Sequence, residues 1–142
     1  MYLDTAVMVK LFVAEPDSEF YSKRVDHEVI LTSSIAYTEF WSALLAKQRE
    51  NLIDGEQRKG AWSRFVRNIE EDRIERVAVN FVILKKANWI LDECYSKVRL
   101  RSLDAIHLAT CDHTQEWPLC TNDRRMRQAA ACLKFPLVEV AN

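Results

Sequence analysis

Only two glycines and three prolines occur in 142 residues, so the chain has few places for wide or left-handed turns. Its elements must follow one another through short connections. Gly-rich phosphate loops and a G-x-S-x-G elbow are absent, which sets aside the chemistries that depend on them. The four cysteines (Cys94, Cys111, Cys120, Cys132) stand far apart without a C-x-x-C pair and lie among apolar neighbours. They read as reduced core residues of a cytoplasmic protein, and a zinc site built on Cys111, His107 and His113 lacks the spacing it needs. The N-terminus has no basic n-region, and Lys10 splits its apolar runs, Ala6–Val9 and Leu11–Ala14. No signal peptide or membrane span is therefore expected. Repeats and low-complexity tracts are missing too.

What is present is a chain that is 49% hydrophobic, enough for a single domain, 1–142, with one core. The net charge of −1 decides nothing about nucleic acid, but its distribution is uneven. Residues 1–46 carry 3 basic and 7 acidic side chains, whereas residues 97–134 carry 7 basic and 4 acidic ones. A fold that joins these regions sets carboxylates beside a cationic rim.

The patterning alternates strands with helices. A short strand ends at Asp4, and further strands are expected at Val29–Thr32, Ile74–Val79, Pro118–Thr121 and Leu137–Val140. Helices are expected over Phe20–His27, Ile35–Gln48 with Ser33 or Ser34 as cap, Asp54–Glu71, a segment capped by Asn80, and Arg124–Leu133. Residues 102–111, apolar nearly all round, read as a helix buried against the sheet and capped by Ser102. This order predicts an α/β fold in three layers: a central parallel sheet of about five strands with helices on both faces and right-handed crossovers.

Four acids stand out against that frame. Asp4 and Asp123 follow strands, at the carboxyl edge where open α/β sheets place their chemistry; each also suits an N-cap. Asp104 falls in the first turn of the most apolar helix, where an ionised group is costly unless it is paired. Glu39 lies in line with Ile35, Ala43 and Ala46, along a stripe of small and apolar residues. Four carboxylates share a pocket only if cations or protons neutralise them, and hard oxygen ligands suit Mg²⁺ or Mn²⁺. Thr5 and Thr121 add hydroxyls. A site of this kind supports phosphodiester hydrolysis without a histidine or a covalent nucleophile. His107, three residues after Asp104, reads as a buried histidine hydrogen-bonded within the core.

The stretches Y-L-D-T-A-V-M-V-K-L-F at the start, S-S-I-A-Y-T-E-F at 33–40, L-R-S-L-D-A-I-H-L-A at 100–109 and T-N-D-R-R-M at 121–126 resemble the four motifs of PIN-domain ribonucleases, in particular the VapC toxins of prokaryotic toxin-antitoxin pairs. The resemblance spans essentially the whole chain. It implies a metal-dependent endoribonuclease whose acidic site is Asp4, Glu39, Asp104 and Asp123, a homodimer, and an antitoxin partner. Arg99, Arg101, Arg124, Arg125 and Arg127 flank the last two acids and are candidates to hold RNA phosphates. An antitoxin arginine is attracted to the same carboxylates as a metal, and the aromatics Phe40, Trp41, Trp62 and Phe65 of the helix hairpin, with Leu44, offer either a core or a docking face. Two rivals remain, a phospho-aspartate protein of receiver or phosphatase type and a non-catalytic binding protein. The first is disfavoured by the lack of a D-x-D motif, since position 6 is Ala, and by Arg after Asp123.

Overall fold

The computed structural model describes residues 1–141. Four strands, β1 (Tyr2–Leu3), β2 (Ile30–Ser33), β3 (Ile74–Val77) and β4 (Leu119–Cys120), form one parallel sheet in the order β3-β2-β1-β4. Among the described residues, seven helices join them: α1 (Thr5–Lys10), α2 (Ser18–Val25), α3 (Ala36–Arg49), α4 (Gly55–Glu70), α5 (Phe81–Cys94), α6 (Ser102–Thr114) and α7 (Arg124–Cys132).

Strand side chains alternate between faces, and here the alternation divides them between two apolar layers. Tyr2, Leu31 and Leu119, which share a register, pack against Ile83, Ile90, Leu108 and Ala129 of α5, α6 and α7. Leu3, Cys120, Ile30 and Ile74 point the other way, onto Val7, Met8, Tyr21, Phe40, Leu44 and Phe65 of α1 to α4. Neither face of β1 meets water, which is why the strand shows no polar alternation. Burying each Leu, Ile or Phe fully stabilises the fold by roughly 1.5–3 kcal/mol. The segment 102–111 is the buried helix its composition predicts, and it packs on α5 and β2.

Four expectations need correction, and one open alternative is decided. The sheet has four strands because the fifth segment makes a single parallel bridge, Leu137 to Leu119. Two-residue β4 gives its Leu119 N–H to Pro136 and takes one from Val138, while Arg127 claims the Val138 carbonyl. Helix α6 is entered from Arg101 as N-cap, not Ser102, because Asp104 bonds back to the Arg101 N–H. Ile35 caps α3; the Ser34 hydroxyl instead accepts the Val79 N–H just beyond β3. Cys132 is exposed, whereas Cys94, Cys111 and Cys120 are buried; all four are free thiols. Phe40, Leu44 and Phe65 belong wholly to the core, with Phe40 and Phe65 stacked at 4.1 Å between centroids, leaving Tyr37, Trp41 and Trp62 as the outer part of the hairpin.

Candidate active site

The four acids come from four elements that meet at the carboxyl edge of the sheet. Asp4 follows β1 and its N–H bonds to the Cys120 carbonyl of β4, which fixes it at that edge. One of its oxygens, Oδ1, caps α1 through the Val7 N–H at 2.9 Å. The other, Oδ2, accepts the Thr121 hydroxyl, and Thr121 Oγ1 in turn accepts the Asp123 N–H at 3.0 Å. Asp123 repeats the pattern: Oδ1 caps α7 at the Met126 N–H, 2.9 Å away, while Oδ2 faces Arg101 Nη2 at 3.6 Å. Capping and site membership are thus compatible, since each cap uses one oxygen of two.

Asp104 sits in the first turn of α6 with its side chain 11% exposed. Its Oδ2 accepts the Arg101 backbone N–H at 3.2 Å and Nε at 3.1 Å, and Oδ1 lies 3.5 Å from Nη2. Glu39, one turn into α3, is fixed by two other side chains. Thr5 donates its hydroxyl to Oε1 at 2.7 Å, and His107 Nε2 meets the same oxygen at 2.7 Å. Oε2 has no protein hydrogen bond among the described residues.

His107 is therefore buried, as its sequence context predicts, but its polar edge serves the acids rather than the core. Glu39 is ionised and can only accept, so Nε2 carries the proton and Nδ1 accepts the Tyr2 hydroxyl at 2.8 Å. Burial pushes the Tyr2 phenol well above its ordinary range and keeps it a donor. Tyr2 lies two residues before Asp4 and Thr5 directly after it; Tyr2 is not singled out from the sequence, and the signal available for its contact with His107 is the demand of a buried Tyr and a buried His for partners.

The electrostatics of the acids differ. Burial raises the pKa of Asp4, against the opposing hydrogen bonds from Thr121 and Val7, and the nearby Asp123 raises it further. Burial pushes Glu39 up as well, but the His107 and Thr5 hydrogen bonds and the Arg101 charge outweigh it and hold the carboxyl below its usual range. Cys120, beneath the edge, has its thiol pushed up to about 12 by burial, so it is no nucleophile at neutral pH.

As placed, no three His, Cys, Asp or Glu side chains among the described residues are close enough to share one ion. Asp104 and Asp123 are engaged by the guanidinium and Glu39 by His107 and Thr5. The donor set still fits a divalent cation: the oxygens are hard, and a positive group is already drawn between two of the carboxylates. Of the rim arginines, Arg99, Arg124 and Arg125 are exposed, whereas Arg127 is spent on the Thr121 and Val138 carbonyls at 2.9 Å each.

A parallel sheet with acids gathered at its carboxyl edge and no strong nucleophile beside them defines a class of acidic-site domain. Residues 1–131 match the PIN domain family, and the chain belongs to it. It is 33% identical over 142 residues to Ribonuclease VapC46 of Mycobacterium tuberculosis (strain ATCC 25618 / H37Rv), covering 97% of this chain and 95% of that protein. It is 30% identical over 145 residues to Ribonuclease VapC35 of the same species, again with 97% and 95% covered. In fold it resembles a chain of a toxin-antitoxin complex from Klebsiella pneumoniae, with a TM-score of 0.62, 14% identity, and 97% of this chain and 95% of that chain covered. Among the described residues no helix is long and apolar enough to cross a membrane.

Proposed function

We propose that the chain, as one nuclease domain over 1–142, is an Mg²⁺- or Mn²⁺-dependent endoribonuclease and the toxin of a VapBC-type toxin-antitoxin pair. The observation that carries this reading is the meeting of Asp4, Glu39, Asp104 and Asp123 at one sheet edge with a single guanidinium among them. The family and the ribonuclease relatives agree with it. When bound, the divalent ion supplies positive charge for the scissile phosphate and acidifies the attacking water.

The residues of the chain divide the remaining work. Asp4, Glu39, Asp104 and Asp123 offer the ligand oxygens. Thr121 ties Asp4 to Asp123, and His107 with Thr5 fixes Glu39 so that one oxygen stays open. Arg99, Arg101, Arg124 and Arg125 are the groups that meet RNA phosphates. An antitoxin helix is assigned to the groove of about 260 Å³ lined by Tyr37, Thr38, Trp41 and Trp62, on the helix that carries Glu39. A homodimer in the cytoplasm completes the reading.

The test is to incubate the purified protein with total RNA and Mg²⁺ or Mn²⁺ and to map new ends by sequencing. Discrete new ends that disappear in EDTA, and fall at least about tenfold with Asp4→Asn, are expected. Full cleavage in EDTA overturns the proposal.

A further inference from the structure

One cation lies inside the acidic site, and it belongs to the chain itself. Arg101 Nε and Nη2 face both oxygens of Asp104, and Nη2 also approaches Asp123, 22 residues further along the chain. The Arg101 side chain is 63% exposed, while those of Asp104 and Asp123 are 11% and 27% exposed. The guanidinium thus reaches down onto the acids from the solvent side. Among the described residues its side chain has no partner apart from these two carboxylates, and Nη2 stands 3.5 Å from one and 3.6 Å from the other. The pair rests on one ordinary hydrogen bond, Nε to Asp104 Oδ2 at 3.1 Å, and on these two long approaches, and because the arginine side of it is exposed it is readily exchanged.

We infer that Arg101 is an exchangeable counter-ion: it occupies Asp104 and Asp123 in the metal-free protein, gives way to the metal, and passes to an RNA phosphate. The inference rests on the reading of the four acids as the metal site. Arginine and metal compete there. A cation bound through Asp104 needs the oxygens the guanidinium now holds, and two positive groups cannot share them at close range. Once released, Arg101 remains tethered at the N-terminus of α6, beside the acids. A planar fork of donors that gives up a carboxylate finds its closest geometric substitute in a phosphodiester. Metal binding and substrate binding are thereby coupled through one side chain.

The decisive measurement is Mn²⁺ binding by calorimetry without RNA, on wild type, Arg101→Gln, Arg99→Gln and Asp104→Asn. Arg99→Gln removes the same charge two residues away, and Arg99 has no carboxylate partner among the described residues. Arg101→Gln is expected to bind Mn²⁺ about tenfold more tightly than wild type, a difference of about 1.4 kcal/mol. Arg99→Gln is expected to stay within about twofold, as a screened surface charge should. The second half is tested with a non-cleavable RNA oligonucleotide. Arg101→Gln should weaken RNA binding in saturating Mg²⁺ but leave it unchanged in EDTA, because the reciprocal coupling exists only once the arginine is free.

The outcomes separate the two levels. If Asp104→Asn abolishes Mn²⁺ binding while Arg101→Gln and Arg99→Gln behave alike, the counter-ion role is wrong and the metal-site reading stands. An equal fall in RNA affinity with and without metal likewise overturns the exchange. If Asp104→Asn leaves Mn²⁺ affinity intact, the reading of the acids fails and the inference fails with it.

Discussion

Buried charge occurs at both ends of α1, and the two ends are built differently. At the C-terminal end Lys10, only 8% exposed, meets Glu15 at 2.5 Å and Asp17 at 2.8 Å, and Glu15 also takes Lys47 at 2.7 Å. Two ammonium groups face two carboxylates there, and the cluster neutralises itself. At the N-terminal end Asp4, with Glu39, Asp104 and Asp123, has one guanidinium and a histidine whose second nitrogen is taken by Tyr2. A buried charge that is matched needs no further explanation than the fold; one that is left short of partners needs something from outside.

The largest way to test that contrast is to change one charge at each end. Asp104→Asn should reduce RNA cleavage at saturating Mn²⁺ by at least about a hundredfold, beyond the roughly 10- to 100-fold that removal of a supporting group costs. The initial rate on a defined RNA measures it, and a drop of less than about tenfold would place Asp104 outside the site. Lys10→Met, by comparison, should leave cleavage per folded molecule essentially unchanged. It should instead destabilise the protein by about 2–3 kcal/mol in urea unfolding, less than a fully buried pair because Glu15 and Asp17 keep 22% and 27% side-chain exposure.

Within the acidic end, pH sharpens the comparison. The pKa of Asp4 is raised on folding, first by burial. Its neutral form therefore suits the fold, and the stability present below the unfolded pKa is lost as pH rises through the folded one. Asp4→Asn should raise Tm at neutral pH without metal, and the gain should vanish in acid. Glu39 has the opposite sign, since its hydrogen bonds and Arg101 overcome burial. Its contribution is present above the unfolded pKa and lost as pH falls through the folded value, so Glu39→Gln should lower Tm at neutral pH and converge with wild type in acid. Thermal unfolding of metal-free protein across this range reads both. Curves that shift in the same direction would contradict the two opposed environments.

Much of this was legible from residue types. The apolar run of β1, the nearly all-apolar α6 and the acids at strand ends fix the layers and the edge where the acids meet, because periodicity and burial cost are local properties. Less legible were features set by partners distant in sequence. His107 gave its burial away but not its direction, which depends on Glu39, 68 positions earlier. Lys10 read only as an interruption, although Glu15 and Asp17 follow it closely and make it a buried ion pair. The fifth strand failed because pairing depends on the length of β4, which is not visible in Leu137–Val140 itself.

The smallest expected effect lies at the rim, where stability and function pull apart. Arg124 and Arg125 occupy the first turn of α7, behind its cap Asp123, and both are exposed. Positive charge there opposes the helix dipole and costs about 0.3–1 kcal/mol per residue, so the fold alone does not favour these side chains. Arg127, further along the helix, differs from them, since it holds two backbone carbonyls and explains itself structurally. Replacing Arg124 and Arg125 together by Ala should therefore leave the protein as stable as wild type or slightly more so. At the same time, the slope of log affinity against log salt for a single-stranded RNA should shrink by about 0.7 for each phosphate that is no longer neutralised. Arg127→Ala should do the reverse, lowering Tm while preserving the slope. A double variant that is less stable and keeps its slope would move Arg124 and Arg125 from the RNA-binding rim to the scaffold, and leave Arg101 and Arg99 as the cations facing substrate.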